Sequence, residues 1–360
     1  MRTIVTAMRN EGPFILEWLA YHRLIGFTDF LVFSNDCEDG TDAMLDRLAE
    51  MRLLCHLPNP RSGRKTVQWK ALNRAGNHPL VKRADWVLVS DVDEFLCIHA
   101  GAGHLDDLFA ACPGASGFAL PWRMFGNAGV MGFRDAPVIG QFVHCAPESL
   151  IWPWRAVQFK SLFRPSPALG KLGVHSPQKA LRPGTVAGWV DGNGAPMRPN
   201  PGTMQPLTGP RYGLAQINHY ALGSAESFLV KAARGRPNRS DDPIDLTYWT
   251  ERNLCDRTDR RILRHADAVT QQIDDWLGDP QLAALHQGAV AWRQQRIADL
   301  RASQAGFDLF AAIASAGPTH VMPMPDQIAL LRELVALNHR LADAARDRSA
   351  TPSSDQPATP

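Results

Sequence analysis

Between residues 2 and 96 the sequence alternates short runs of β-branched and aromatic residues with longer amphipathic segments. The short runs are RTIVTAM, FTDFLVFSN, RLLCHLP and ADWVLVS, and the amphipathic segments are FILEWLAYHRLIG, TDAMLDRLAEM and QWKALNRAG. Parallel strands need crossover helices to connect them, so this alternation predicts an α/β fold with a mainly parallel sheet and flanking helices. In the first amphipathic segment Phe14, Trp18, Tyr21 and Ile25 recur at helical spacing, which indicates core residues rather than a cofactor site.

Composition excludes several classes of protein. The chain has 360 residues, 45% of them hydrophobic, which is enough for one large domain or two moderate ones. A net charge of +2 gives no reason to expect nucleic acid as a partner. The six cysteines are far apart and form no C-x-x-C pair, which is typical of free thiols in a reducing compartment. Without an apolar stretch long enough for a signal peptide or a membrane span, we expect a cytoplasmic protein.

The C-terminal third has a different pattern. Beyond Ser224 the sequence is helical in character, and we predict a helical extension over residues 241–322, a terminal helix over 323–348 after a Pro-Met-Pro break, and a disordered tail over 349–360. The terminal helix carries an apolar seam with 4-3-4-3 spacing, which would pair with a second copy as a homodimer or dock on the body of the protein. The seam consists of Leu330, Leu334, Leu337, Leu341 and Ala344.

The run VLVSDVDEFL, residues 87–96, ends an apolar strand in three carboxylates, Asp91, Asp93 and Glu94. Burying unpaired carboxylates costs several kcal/mol each, so such a cluster must be solvated, paired with cations or bound to a metal. Residues two apart in an extended segment point to the same side, so Asp91 and Asp93 offer two oxygen ligands together. Oxygen ligands suit Mg²⁺ or Mn²⁺. A solvated loop remains the alternative.

Polar residues follow the first, second and fourth predicted strands at the point where each strand ends. Because open α/β sheets bind ligands at the carboxyl ends of their strands, we expect these residues to meet in one site, which favours the metal interpretation. The three clusters are Arg9-Asn10-Glu11, Asn35-Asp36 and Asp91-Val92-Asp93.

Six motifs occur in a fixed order: MRNEGPFILEWLAYHRLIGF, NDCEDGT, SDVDEF, WRMFG at 122–126, HSP at 175–177 and NHY at 218–220. Together they resemble the bacterial family-2-like glycosyltransferases related to glycosyltransferase family 92, over residues 2 to about 240. The resemblance implies a GT-A type fold for residues 1–240, a nucleotide-sugar donor and a Mn²⁺ or Mg²⁺ cofactor. It also implies a glycan or lipid-linked acceptor, as in surface polysaccharide synthesis, and a location in the cytoplasm or peripherally at the inner membrane.

The resemblance assigns the metal to the D-x-D motif. Asp93 would bind the metal directly, and Asp91 would reach the ribose, or the metal through water. His219 would complete the coordination sphere, with a buried core histidine as the alternative.

The resemblance also assigns residues to the donor. Asp36 would accept a hydrogen bond from the base, Gln68 and Asn73 would line the nucleoside pocket, and residues 122–126 would form a loop against the donor sugar or the acceptor. A core Trp-Phe pair with a surface arginine is the alternative for that loop. The residues carried over to nucleotide-sugar binding are Arg9, Asn10, Glu11, Asp36, Gln68, Asn73, Asp91, Trp122, Arg123 and Lys231.

One position departs from the family pattern. Family members carry a lysine three to four residues after the NHY histidine, where this chain has Gly223. The missing positive charge would weaken diphosphate binding unless Lys231 or Arg234 replaces it. Lys231 and the basic run ARGRPNR at 233–239 would form either a lid over the diphosphate or a solvated loop. Arg64 and Lys65 would approach phosphates or lie on plain surface.

An inverting hexosyltransferase needs a carboxylate to take the proton of the acceptor hydroxyl. We prefer Glu148 and Asp241 for their loop positions, and the other candidates are Glu94, Asp191 and Asp242. Two alternatives to a transferase remain: a metal-dependent nucleotide-sugar hydrolase, and a non-catalytic glycan-binding protein with a transferase fold.

Overall fold

The computed structural model describes residues 1–61, 66–178, 187–197, 211–235 and 243–350. Its strands are β1 (Arg2–Met8), β2 (Asp29–Ser34), β3 (Cys55–Pro58), β4 (Trp86–Val89), β5 (Glu94–Ile98), β6 (Gly117–Met124), β7 (His144–Cys145), β8 (Phe159–Phe163), β9 (Trp189–Asp191), β10 (Ala215–His219) and β11 (Arg257–Thr258). Its α-helices are α1 (Ile15–Leu24), α2 (Thr41–Glu50), α3 (Val67–Ala75), α4 (Pro79–Lys82), α5 (Leu105–Ala111), α6 (Val138–Gln141), α7 (Ala225–Arg234), α8 (Leu246–Thr250), α9 (Ala266–Leu277), α10 (Pro280–Ala302), α11 (Gln304–Ala316) and α12 (Met324–Ala350).

In the described part of the chain one sheet dominates, with the strand order β3-β2-β1-β4-β8-β6-β10-β5 and with β9 beside β6. Strand β1 pairs in parallel with β2 and β4, and β2 pairs in parallel with β3. Strand β6 is parallel to β10 and β9, while β8 runs antiparallel between β4 and β6, and β5 is antiparallel to β10. The predicted α/β fold with a mainly parallel sheet is confirmed, including the predicted alternation from β1 to β4.

Helix α1 packs its aromatic side chains into the core, as its periodicity predicts. Trp18, Tyr21 and Ile25 are at most 1% exposed, and the Tyr21 hydroxyl donates to the carbonyl of Leu96 in β5 at 2.9 Å. Phe14 is only partly buried and meets Phe133 edge-on, with 6.3 Å between the ring centroids. These contacts anchor the first crossover helix against the strand that follows the acidic motif.

The predicted helical C-terminal region is confirmed, and its first helices pack on the N-terminal half. Helix α9 contacts α1, while α10 contacts both α2 and α7. Arg47 of α2 forms two hydrogen bonds with Asp279, which precedes α10: Nη2 to Oδ2 at 2.5 Å and Nε to Oδ1 at 3.0 Å. The same carboxylate accepts the backbone N–H of Leu282 and so caps α10.

The terminal helix α12 is held at its start and exposed beyond it. Gln327 is 1% exposed, and its Oε1 accepts the backbone N–H groups of Ile151 at 3.0 Å and Trp152 at 3.1 Å. Farther along, Leu337 is 41% and Leu341 is 57% exposed. The first turn of α12 therefore docks on the body of the protein. Pairing of the helix with a second copy stays a prediction. Within the described residues, no helix is both long and apolar enough to cross a membrane.

A substitution at Gly12 tests the contact between helix α10 and the N-terminal half of the chain. A Cβ placed on Gly12 would lie 2.5 Å from the Cβ of Ala289 in α10 and 3.2 Å from Oδ2 of Asp39. We expect Gly12→Ala to lower the free energy of unfolding by about 1–3 kcal/mol, because the added methyl group overpacks this contact. Urea denaturation of the purified protein measures the effect.

The matched control is Ala289→Gly, alone and combined with Gly12→Ala. Ala289→Gly alone should cost about 1 kcal/mol, because glycine weakens a helix interior. In the double variant the clash is relieved, so its loss in the free energy of unfolding should be smaller than the sum of the two single losses. Strict additivity would contradict this packing of α10 against residue 12.

Candidate active site

The carboxyl ends of β1, β2 and β4 open onto a cavity of about 490 Å³. Its walls bring together residues from all three polar clusters of the sequence, together with side chains from β6, β10 and α7. Nine of the residues assigned to the donor or the metal lie there: Arg9, Glu11, Asp36, Gln68, Asp91, Asp93, Trp122, His219 and Lys231.

Other assigned residues lie elsewhere. Asn10 is 5% exposed, accepts the backbone N–H of Glu38 at 2.8 Å and lines a neighbouring cavity of about 60 Å³. Asn73 in α3 does not line the large cavity, and its backbone carbonyl accepts a hydrogen bond from Asn77. Four predicted residues are outside the described part of the chain: Arg64, Lys65, Asp241 and Asp242.

Glu148, the preferred base, does not face the cavity. Its side chain is 51% exposed and lies 3.9 Å from both Arg123 and Arg261, where it lines a separate cleft outside that cavity. The loop that carries Glu148 follows β7, on the side of the sheet to which Arg123 points. The structure therefore corrects the assignment of Glu148 as a base for chemistry in the large cavity.

The motif at 122–126 is not the predicted loop, because Trp122 to Met124 belong to strand β6. Side chains alternate along a strand, so Trp122 lines the cavity while Arg123 points to the other face. Arg123 is 3% exposed, and its Nη1 donates to Oδ2 of Asp259 at 2.8 Å. Its Nε donates to the carbonyl of Ala146. Arg123 therefore does not line the large cavity and forms a buried ion pair, so its position gives no support to its assignment to the donor.

A lysine that the sequence reasoning missed compensates part of the acidic cluster. Lys160 of β8 has a fully buried side chain whose Nζ lies 3.2 Å from Asp91 Oδ2 and 3.1 Å from Glu94 Oε2. Burial by itself lowers the pKa of Lys160, but the two carboxylates outweigh it and raise the pKa. A lysine inside the apolar run FKSLF was the available signal, since a buried strand accepts a cation only beside a partner.

Glu94 lies behind the cavity wall rather than in it. Its side chain is fully buried, and Oε2 accepts from the Ser90 hydroxyl and from the backbone N–H of Asp91. Burial raises the pKa of Glu94, and Lys160 opposes that rise. Glu94 does not line the cavity, so it is not positioned to take a proton from an acceptor hydroxyl there.

The second aspartate of the motif is paired with a different lysine. Asp93 Oδ2 lies 2.6 Å from Lys231 Nζ, and Oδ1 lies 3.7 Å from His219 Nε2. Burial raises the pKa of Asp93, but Lys231 and then His219 outweigh it and hold the pKa well below its usual range. Burial lowers the pKa of His219, which favours the neutral imidazole that a metal requires.

Three of the described side chains could together hold a divalent cation. Ligand atoms of Asp93, Glu94 and His219 lie within 4.8 Å of one another. Two of the side-chain atoms, Glu94 Oε1 and His219 Nδ1, are buried without a hydrogen-bond partner in the described structure. Two carboxylates and an imidazole fit Mn²⁺ or Mg²⁺. Asp91, which was predicted as a ligand, is instead held by Lys160 at the edge of this group.

Helix α7 supplies the positive charge that is missing at position 223. Lys231 and Arg234 both face the cavity, and Arg234 forms an ion pair with Glu11 and donates to the carbonyl of Arg9. Gly223 has a φ of +63°, a left-handed conformation that a lysine would adopt only with strain. The two cations therefore reach the site from a helix rather than from the strand end.

The buried lysine generates a testable prediction. Lys160→Met would leave Asp91 and Glu94 without their shared cation, and we expect the free energy of unfolding to fall by about 3–5 kcal/mol. Urea denaturation measures the loss. Adding Glu94→Gln removes one buried charge and should restore part of the stability. An equal loss in the single and double variants would contradict the pairing of Lys160 with Glu94.

The sequence is similar to a known protein family. The sequence model of glycosyltransferase family 92 matches residues 5–190. A family 92 protein of Ricinus communis is 30% identical over 102 residues, which cover 27% of this chain and 17% of the relative. One from Oryza sativa is 29% identical over 97 residues, covering 26% and 15%. The chain thus spans less than a fifth of either relative in these alignments, and because both are plant proteins the bacterial origin stays a prediction.

Among solved structures, Staphylococcus aureus TarS is 17% identical with a TM-score of 0.28, over 46% of this chain and 28% of TarS. A structure of TarS residues 1–349 in complex with UDP is 16% identical with a TM-score of 0.27, over 46% and 47% of the two chains. The match to the family model covers just over half of the sequence and includes the acidic motif, Trp122 and His175. The chain belongs to glycosyltransferase family 92.

Proposed function

We propose that this protein is a metal-dependent glycosyltransferase that moves a sugar from a nucleotide-sugar donor to a glycan or lipid-linked acceptor. The observation that carries the proposal is a single cavity in which Asp93 and His219 lie beside the cations Lys231 and Arg234. Such a wall suits a diphosphate, which needs positive charge from the protein and from a divalent cation.

Asp36 and Trp122 lie at opposite ends of the cavity. Asp36 follows β2, while Trp122 lies in β6, four strands away in the sheet. At about 4.8 Å per strand the two are separated by about 19 Å, which accommodates an extended nucleotide sugar between them. Asp36 and Gln68 would bind the nucleoside, and the flat ring of Trp122 would pack against an apolar face of the sugar.

The diphosphate would lie between those ends. Lys231 and Arg234 would donate to its oxygens, and Asp93, Glu94 and His219 would hold the metal. A bound divalent cation would stabilise the negative charge that develops on the diphosphate as the sugar leaves. Lys231 is already held against Asp93 and the carbonyl of Ala221, at 2.6 and 2.7 Å, so its ammonium group is oriented before the donor binds.

Thermal stabilisation by nucleotides tests the donor site. We expect one class of nucleoside diphosphate and its sugar derivatives to stabilise the protein, and to do so more strongly with Mn²⁺ present. At 100 times its dissociation constant a ligand should add about 2.7 kcal/mol to the free energy of unfolding. Asp93→Asn should abolish the Mn²⁺-dependent part, because it removes the charge of the central ligand.

Glu148→Gln is the matched control, since it removes one carboxylate charge outside the large cavity. It should respond to nucleotides and Mn²⁺ as the wild type does. A wild-type protein with no Mn²⁺-dependent response to any nucleotide would contradict the proposal and favour the glycan-binding alternative. Release of free sugar that no acceptor preparation suppresses would favour the hydrolase.

A further inference from the structure

Three aromatic side chains form a continuous row in the wall of the large cavity. The ring centroid of Trp122 lies 4.3 Å from that of His219 and 5.1 Å from that of His175. His219 is the member next to Asp93, so Trp122 lies between the metal end of the site and His175. A sugar packed on Trp122 would have the diphosphate towards His219 and its opposite side towards His175.

The imidazole of His175 is fixed in one tautomer. Its Nδ1 lies 2.9 Å from the carbonyl oxygen of Phe159, and a carbonyl only accepts hydrogen bonds, so Nδ1 carries the hydrogen. In the neutral ring Nε2 then has a free lone pair, and no hydrogen bond to Nε2 occurs within the described residues. The backbone carbonyl of His175 accepts the Ser161 hydroxyl at 2.8 Å, which also ties this residue to β8.

The surroundings keep His175 neutral near pH 7. Burial lowers its pKa to about 4, with a further contribution from the charge of Lys160. The Phe159 hydrogen bond and Asp91 act in the opposite direction, and His219 adds to the lowering. The imidazole therefore resembles a carboxylate in basicity, and carboxylates are common proton acceptors in catalysis.

The carboxylates of the same cavity are already engaged. Asp91 is held by Lys160, Asp93 by Lys231 and Glu11 by Arg234. Asp36 accepts the backbone N–H of Arg61 at 3.0 Å and lies at the nucleoside end. Three of these carboxylates thus lie against a cation and the fourth lies at the nucleoside end, so within the described wall His175 is the group with a free lone pair beside the sugar.

We propose that His175 is the general base of the transfer reaction, an inference that rests on the proposed function. As the acceptor oxygen bonds to the anomeric carbon, its proton passes to Nε2 of His175. The bond between the anomeric carbon and the diphosphate oxygen breaks, and the nucleoside diphosphate leaves with the electron pair. The imidazolium then returns its proton to solvent.

The experiment compares two nucleophiles in wild type and His175→Gln. Release of nucleoside diphosphate from the donor found by thermal shift is measured in water alone and with sodium azide. Water must lose a proton as it attacks the sugar, whereas azide carries no proton to lose. We expect the variant to lose about 100-fold or more of its turnover in water and to retain azide turnover close to that of the wild type.

His144→Gln, at an exposed position in β7, is the control for replacing a histidine and should leave both rates unchanged. The His175→Gln protein must also keep its Mn²⁺-dependent stabilisation by the nucleoside diphosphate. Equal losses with water and azide would overturn the role as base and leave His175 only a structural part of the wall. Unchanged turnover in water would overturn it as well. A wild type that binds no nucleotide sugar would overturn the proposed function, and this role with it.

Discussion

The compensation of the acidic motif by two lysines, Lys160 fully buried and Lys231 partly buried, is the interaction on which the site depends. Three carboxylates end one strand, and each ion pair that stabilises them comes from a distant part of the chain: Lys160 from β8 and Lys231 from α7. Unpaired, such a cluster would cost several kcal/mol per charge. The motif therefore requires that β8 be inserted beside β4 and that α7 close over the strand ends.

That requirement explains the antiparallel strand in a mainly parallel sheet. Strand β8 pairs with β4 through Val87 and Leu88, immediately before the acidic motif, and with β6 through the residues leading to Trp122. One strand thus places Lys160 under the carboxylates and fixes β6, so that Trp122 faces the same cavity. Helix α7 is in turn covered by α10 and α11. The C-terminal helices therefore support the cations of the site even though they lie outside the matched family region.

Much of the N-terminal half could be predicted from sequence, because local patterns determine it. Alternating periodicity predicted β1 to β4 and their crossover helices, and the rule for strand ends predicted that Asp36, Asp91 and Asp93 would share an edge. Lys160 could not be assigned in the same way, since its partners lie about 70 residues earlier and only the strand order brings them together. The prediction of a loop at residues 122–126 was wrong because it followed from the family resemblance, whereas residues 122–124 belong to a strand. Because Trp122 and Arg123 are neighbours in one strand, their side chains lie on opposite faces of the sheet.

Under the proposed function, Lys231 would both pair with the acidic motif and bind the diphosphate. An ammonium group has three hydrogens, and Lys231 uses two of them on Asp93 and the carbonyl of Ala221. One hydrogen remains, so under the proposed function the lysine would neutralise the aspartate and contact the diphosphate without breaking either bond. A lysine at position 223 would have to adopt a left-handed backbone conformation, whereas a lysine within a helix keeps ordinary backbone geometry. With Lys231 in the helix, the site has its cation while glycine occupies the turn that the chain requires.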